Sequence, residues 1–248
     1  MGAYVVSQSQ FKITVEDGTM IEVKVDKAKK NTIGIVHLFH GMAEHMDRYD
    51  ELVNALNIQG YDVLRHNHRG HGKDIDEVER GHFESMSQIV DDAYEIVETL
   101  YGAELNVPYV VLGHSMGSII ARLFVMRYPE FANGLILTGT GMFPKWKGVP
   151  ATFALKLVTM ILGKRRRVNW VNKLVNKSFN KRIDNPLTES DWISTRRDEV
   201  EKFVKDEYCG FKVSNQLIYQ TVKFMMLTIE PKCLDTVSYT HLRAHETG

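Results

Sequence analysis

Gly113-His114-Ser115-Met116-Gly117 is the stretch of this 248-residue chain that decides its fold. Residues 108–112 form an apolar run that predicts a buried strand, and residues 118–128 follow with a helical pattern. A G-x-S-x-G sequence between a strand and a helix is typical of a nucleophile elbow, a sharp turn that holds the serine hydroxyl clear of the backbone. Glycines on both sides let the strand and the helix approach without a Cβ clash. Ser115 is therefore the predicted nucleophile.

The rest of the first 141 residues alternates between strand and helix patterns. Period-2 patterns on either side of Asp17-Gly18 predict a β-hairpin. Three further apolar runs predict strands, and two stretches with helical spacing predict helices. The strands cover 33–39, 61–64 and 134–138, and the helices cover 48–58 and 89–100. This alternation predicts an α/β fold with a mostly parallel sheet and helices on both of its faces.

The alternation stops after Gly141, where helical patterns continue without a convincing strand. This change predicts a helical lid over the carboxyl edge of the sheet, where ligands bind in open α/β folds. We therefore predict the N-terminal part of an α/β core over 1–141, a lid over 142–226, and a return toward the core over 227–236.

A second backbone donor is predicted in the loop that follows the strand at 33–39. Hydrolysis by a serine requires two backbone N–H groups that face the oxygen of the tetrahedral intermediate. The N–H of Met116, at the start of the predicted helix, is the first of these donors. Gly41 allows the loop to turn, and the N–H of Met42 is the second. A simple strand-ending turn at His40-Gly41 is the alternative interpretation.

Two further motifs accompany the elbow. The first is His40-Gly41-Met42-Ala43-Glu44-His45 with Arg48-Tyr49, and the second is His68-Arg69-Gly70-His71-Gly72. In this order the three motifs resemble the monoacylglycerol lipase and lysophospholipase-like α/β-hydrolases, a group that also carries the serine aminopeptidase domain name. The resemblance runs from about residue 11 to residue 234. It implies an α/β-hydrolase fold with a helical lid, Ser115 as nucleophile, and an oxyanion hole formed by the amides of Met42 and Met116. Asn67 departs from this family, whose members usually carry Asp there.

The acid and the base that must activate the serine are missing from the expected places. In this fold they follow the nucleophile in the order Asp or Glu, then His. Only His241 and His245 follow Ser115, and no strand pattern precedes Asp235. Residues 237–247 resemble a translated sequencing adapter. We therefore expect a non-native tail over 237–248, a chain without the last strands of the sheet, and near inactivity of the chain as printed.

Composition and charge exclude several other classes of protein. The formal net charge is zero, which gives no general attraction to nucleic acid. Cys209 and Cys233 lack the spacing of a metal site or a disulfide framework. His66, His68 and His71 have no carboxylate or thiolate at ligand spacing, so we predict hydrogen bonding within a loop and no metal. We expect no metal, no organic cofactor and no nucleic-acid partner.

The first half of the lid is unusually basic, since residues 142–183 contain 11 Lys and Arg and no Asp or Glu. One interpretation is weak contact with an anionic membrane surface. The other is a lid helix whose apolar face covers the active site while its charges are solvated, and we favour this second interpretation. No pattern of a secretory signal or a spanning helix is present, which predicts a cytoplasmic protein that is at most peripheral to a membrane.

The sequence thus predicts a serine hydrolase that cleaves carboxylic esters of monoacylglycerol or lysophospholipid-like substrates through an acyl-enzyme. Its expected partner is a small acyl ester. One alternative is a related peptidase that releases proline from a free amino terminus, which would need an acidic subsite that the first half of the lid lacks. The other alternative is a scaffold that keeps the fold without catalysis.

Overall fold

A computed structural model describes residues 8–102, 105–141, 145–181 and 183–228 of the chain. Six strands form one sheet with the order β1-β2-β4-β3-β5-β6. The strands are β1 (Gln8–Thr14), β2 (Met20–Asp26), β3 (Gly34–Phe39), β4 (Tyr61–His66), β5 (Tyr109–His114) and β6 (Gly134–Thr138). The helices are α1 (Asp50–Gln59), α2 (Met86–Tyr101), α3 (Met116–Arg127), α4 (Lys145–Leu162), α5 (Asn169–Asn180), α6 (Arg197–Lys205) and α7 (Asn215–Leu227).

The strand pairing confirms the predicted mostly parallel sheet. β1 and β2 form the predicted antiparallel hairpin, and β2 also pairs with β4 in the antiparallel sense. β4, β3, β5 and β6 are parallel neighbours. In the register of β3 and β5, Phe39 lies opposite Gly113. The loop after β3 therefore begins beside the strand end that carries Ser115.

Helices cover both faces of the sheet, as the nearly continuous apolar sequence of β3 predicts. Every residue of β3 is buried. Val36 and Leu38 point to one face and contribute to a small cluster that includes Val53 of α1. Ile35 and Phe39 point to the opposite face and belong to the large core cluster, where α2 and α3 pack. The alternation along one strand thus joins two apolar layers.

A group of five histidines is buried within this part of the core and the loops above it. His37 Nε2 lies 3.0 Å from His66 Nδ1, and His37 Nδ1 contacts the hydroxyl of Tyr109. Burial lowers the pKa of His66 to about 3 and that of His71 to about 4. Burial also holds the pKa values of three others well below their usual range, and these are His37, His40 and His68. All five imidazoles are therefore neutral in the folded protein at pH 7.

These neutral histidines predict steep acid destabilisation. Unfolding exposes imidazoles whose pKa is about 6.5, so the unfolded chain takes up protons below that pH while the folded chain does not. Stability is complete above pH 6.5 and falls as the pH drops toward the lowered pKa values, by up to about 1.4 kcal/mol per pH unit for each histidine. We expect urea titrations to give a free energy of unfolding at least about 4 kcal/mol lower at pH 5 than at pH 6.5. The slope of the free energy of unfolding against pH should correspond to the uptake of more than about two protons on unfolding. A smaller proton uptake would contradict the neutral state of these histidines.

The segment predicted as a lid contains α4, α5, α6 and α7, and α4 packs along α7. The predicted boundaries at 141 and 226 stay predictions. From residue 229 onward, the predicted return toward the core and the predicted tail lie outside the described residues. Among the helices that the structure describes, none combines the length and the apolarity that a bilayer-spanning helix requires.

Candidate active site

Ser115 occupies a strained turn between β5 and α3. Its backbone has φ 52° and ψ −117°, a left-handed conformation that a residue with a Cβ rarely adopts. Neighbouring backbone groups hold this turn in place. The Ser115 N–H donates to Thr138 O over 2.9 Å, and the Ser115 carbonyl accepts from Ser118 N over 3.0 Å. A conformation of this kind costs about 1–3 kcal/mol and persists only where the surroundings determine it.

The two glycines of the elbow are required by close backbone contacts. A Cβ on Gly113 would lie 2.3 Å from Gly117 O, so no side chain fits between the strand and the helix. A Cβ on Gly117 would lie 2.1 Å from Phe39 O and 2.6 Å from His40 O. The start of α3 therefore rests directly on the end of β3, which brings the 40–46 loop to the nucleophile.

The structure brings the three predicted site residues into one region. A Cβ placed on Gly41 would be 3.3 Å from the Cβ of Ser115, so the loop passes beside the serine. The neighbouring Ala43 N–H donates to His71 Nε2 over 3.2 Å. In the described part of the chain, no acceptor is hydrogen-bonded to the Met42 N–H. Met116 is the first residue of α3, and the first amides of a helix have no acceptor within it.

Glu44 organises this loop, a role that the sequence patterns did not predict. Its side chain is 3% exposed, and its carboxylate accepts from Gly41 N and from the hydroxyl of Tyr49 over 2.6 Å. Arg48 forms an ion pair with the same carboxylate. Burial, together with the charge of Glu44, keeps the pKa of Tyr49 well above its usual value, so the phenol stays protonated and donates. An acid followed by Arg and Tyr at the fourth and fifth positions was the available signal.

A cavity of about 430 Å³ opens onto Ser115. Its wall includes Arg48, Tyr49 and His114 from the first 141 residues. The segment predicted as a lid contributes Phe179 and Trp192, whose ring centroids are 4.5 Å apart. An aromatic wall from the segment predicted as a lid therefore faces the predicted nucleophile.

Among the residues that the structure describes, no base is hydrogen-bonded to the hydroxyl of the nucleophile. His114 also lines the cavity, but its Nδ1 lies 2.9 Å from Thr138 Oγ1 and no hydrogen bond joins it to Ser115 Oγ. His241 and His245 lie outside the described residues. The expected absence of the catalytic Asp and His from this chain therefore stays a prediction.

The histidine motif forms hydrogen bonds within the loops. His40 Nε2 accepts from His68 N over 3.0 Å, and His71 accepts from the Ala43 N–H. These contacts join the 67–72 loop to the 40–46 loop and support the backbone on which Met42 lies.

Asn67, where the family usually carries Asp, has a clear role in this chain. The side chain is buried, and its Oδ1 accepts from Met46 N over 3.0 Å. Its Nδ2 donates to Glu22 Oε2 over 2.6 Å. An aspartate there could not donate to Glu22, so the amide matches the carboxylate on the neighbouring strand β2.

Asn67→Asp is expected to lower the free energy of unfolding by about 2 kcal/mol at pH 8, because it would place two partly buried carboxylates in contact. Urea unfolding followed by circular dichroism measures the change. The double variant N67D/E22Q restores a donor–acceptor pair and should regain most of the loss. A single variant as stable as the wild type would show that the contact with Glu22 does not contribute to the free energy of unfolding.

Comparisons with known proteins identify the family and the fold. The model of the family described as serine aminopeptidase, S33 matches residues 30–234. A solved structure of a thermostable carboxyl esterase from Bacillus coagulans superimposes with a TM-score of 0.82, at 26% identity over 94% of this chain and 77% of that protein. The fold is that of the α/β-hydrolases, as predicted. The chain belongs to the serine aminopeptidase S33 family.

Two curated relatives are similar in sequence as well. The monoacylglycerol lipase of Mycolicibacterium smegmatis is 35% identical over 106 residues, which is 43% of this chain and 37% of the relative. The monoglyceride lipase of Mus musculus is 31% identical over 150 residues, 59% of this chain and 48% of the relative. The predicted resemblance to monoacylglycerol lipases is confirmed. The matched segments span less than half the length of these relatives.

Proposed function

We propose that the complete protein is a serine hydrolase that cleaves carboxylic esters of monoacylglycerol or lysophospholipid-like substrates through an acyl-enzyme. One observation carries the proposal. Ser115 is held in a strained turn at a cavity of about 430 Å³, beside a loop whose Met42 N–H has no acceptor among the described residues. Strain of this kind concentrates at functional sites, and the family and its relatives indicate the same chemistry.

The proposed reaction begins with attack of Ser115 Oγ on the acyl carbonyl carbon. The oxygen of that carbonyl becomes negatively charged and accepts hydrogen bonds from the N–H groups of Met42 and Met116. The proton of the serine passes to the histidine that we expect in the complete protein and not in this chain, and from there to the leaving alcohol. Water then attacks the acyl-enzyme in place of the serine, and Ser115 leaves in place of the alcohol.

The cavity favours an acyl ester over a peptide with a free amine. Phe179 and Trp192 give it an aromatic wall suited to an acyl chain. None of the described residues that line the cavity is an Asp or Glu, and the nearby buried carboxylate of Glu44 is already paired with Arg48 and hydrogen-bonded to Tyr49. An amine subsite needs an acid with a free charge, so the proline-releasing peptidase is the weaker alternative.

The complete protein from the native gene, assayed on a substrate panel, tests this function. We expect turnover of a monoacylglycerol or a lysophospholipid, measured as fatty acid release, and no release of proline from a proline anilide. Proline release without ester cleavage would establish the peptidase alternative. Absence of both activities from a folded protein would support the scaffold alternative.

We also propose a weak, peripheral contact between the lid and a membrane surface inside the cell. The support comes from α4, where Trp146, Phe153 and Ile161 are 72%, 63% and 76% exposed. The densest basic run, 164–167, contributes little to this contact, because side chains in it bind other groups of the protein. Lys164 pairs with Glu84 over 2.8 Å, and Arg167 donates to backbone carbonyls.

The double variant Phe153→Ser/Ile161→Ser is expected to reduce vesicle binding at least about threefold, because two exposed apolar side chains leave the contact. Sedimentation with neutral and with anionic vesicles measures the bound fraction. Met20→Ser changes an equally exposed apolar residue on β2 and should leave binding unchanged. Equal binding of the lid variant and the wild type would contradict the contact, and equal binding to both vesicle types would assign it to apolar burial alone.

A further inference from the structure

Three side chains that can ligate a metal meet behind the loop that carries Met42. His45 lies in this loop, Asp206 follows α6 directly, and Cys209 lies in the turn beyond it. One donor atom from each lies within 4.8 Å of the other two. His45 Nε2 is 2.8 Å from Asp206 Oδ2. The cluster joins residues 161 positions apart in the chain, so spacing within the sequence could not reveal it.

The surroundings of this cluster resemble a built ligand site. His45 is 4% exposed and Cys209 is 9% exposed, whereas the side chain of Asp206 is 29% exposed and gives access to solvent. His45 Nδ1 is buried and has no hydrogen-bond partner in the described part of the chain. Asp47 Oδ2 lies 3.8 Å from this nitrogen. A small shift would give the arrangement found behind metal-bound histidines, in which a carboxylate accepts from the second ring nitrogen.

Asp47 is itself held in place for this role. Lys24 Nζ lies 2.5 Å from its Oδ1, and Lys73 Nζ lies 3.1 Å from its Oδ2. The Asp47 carboxylate is therefore placed to orient the imidazole of His45.

We propose that His45, Asp206 and Cys209 bind one Zn²⁺ ion, with water from the exposed side as the fourth ligand. An imidazole, a carboxylate and a thiolate match the preference of Zn²⁺, whereas Ca²⁺ and Mg²⁺ favour oxygen ligands. The thiol of Cys209 loses its proton to solvent as the Zn–S bond forms. The two anionic ligands then balance the charge of the ion. The donor atoms of a tetrahedral site are about 3.5 Å apart. Small side-chain rotations would bring the three donor atoms of this cluster to that separation.

The ion would fasten the lid to the loop of the proposed oxyanion hole. The Gly210 N–H already donates to Ala43 O over 2.9 Å, one residue beyond Cys209 and one residue beyond Met42. Zn²⁺ at the three side chains would add a second, stronger link between the same two segments. Binding is therefore expected to raise the melting temperature and to order the loop that carries Met42.

Titration with Co²⁺, a spectroscopic substitute for Zn²⁺, tests the site in the tag-free chain under reducing conditions. We expect one ion per chain, visible d–d bands of tetrahedral coordination and a thiolate-to-cobalt charge-transfer band. Cys209→Ser should abolish the charge-transfer band and weaken binding at least about tenfold. Cys233→Ser, which removes the other thiol of the chain, should change neither. A band lost in C233S and kept in C209S would overturn the proposal.

X-ray absorption of the Zn²⁺-loaded wild-type chain gives a test that needs no variant. We expect one sulfur at about 2.3 Å and nitrogen or oxygen ligands at about 2.0–2.1 Å. A coordination shell without sulfur, or no binding at all, would refute the site. Ser115→Ala should bind the ion normally, so failure of the ester hydrolase proposal and failure of this one can be told apart.

Discussion

Ser115→Ala is expected to lower ester turnover by the complete protein about 10⁴-fold or more, because the variant has no hydroxyl to attack the acyl carbonyl. The residual rate would come from the proposed oxyanion donors, Met42 and Met116, and from substrate binding. Fatty acid release under saturating substrate measures turnover, and a fluorophosphonate probe measures covalent labelling of the serine. Labelling should disappear completely.

Ser9→Ala is the matched control for this experiment. Ser9 is exposed on β1, far from the elbow in the sheet order, and its removal should change neither turnover nor labelling. The melting temperature of Ser115→Ala should stay near that of the wild type, since alanine carries the same strained backbone. Undiminished labelling of that variant would assign the reactive serine to another position and remove the basis of the proposed function.

Gly117→Ala has the second largest expected effect, a loss of at least about 4 kcal/mol in the free energy of unfolding or failure to fold. The new Cβ would lie 2.1 Å from Phe39 O and 2.6 Å from His40 O. Both are backbone atoms of the central strand and its loop, so neither can rotate aside. The helix would have to move off β3, and the elbow would move with it. Urea unfolding and the yield of soluble protein report the loss.

Gly134→Ala is the control for glycine replacement within the same fold. A Cβ at that position would meet only Val110 side-chain atoms, the nearest at 3.4 Å, which is ordinary van der Waals contact. We expect a change within about 1 kcal/mol. If Gly117→Ala were equally mild, the close approach of α3 to β3 would be wrong as described.

The parts of the site that depend on local sequence were predictable. The strand, turn and helix around Ser115 follow from the pattern of residues 108–128, and the hairpin follows from Asp17-Gly18 between two alternating runs. Helix ends were less accurate. The predicted helix over 48–58 begins at Asp50, because a short 3-10 turn, Met46–Tyr49, precedes it.

The parts that depend on distant contacts were not predictable from patterns. Glu44 is important because folding places its carboxylate against the Gly41 N–H and the Tyr49 hydroxyl. The meeting of His45 with Asp206 and Cys209 requires the segment after α6 to pack against the loop that follows β3. Such contacts arise from tertiary packing, and periodicity reports only on neighbours along one strand or helix.

The left-handed backbone at Ser115 has an evolutionary corollary. Glycine adopts φ 52° without penalty, so Ser115→Gly would relieve strain while leaving the turn intact. In a gene copy released from selection for chemistry, one base change from an AGY serine codon would reach that more stable state. A serine codon kept at this position is accordingly a sign of purifying selection for the hydroxyl. Replacement by glycine would mark descendants in which that selection has ended.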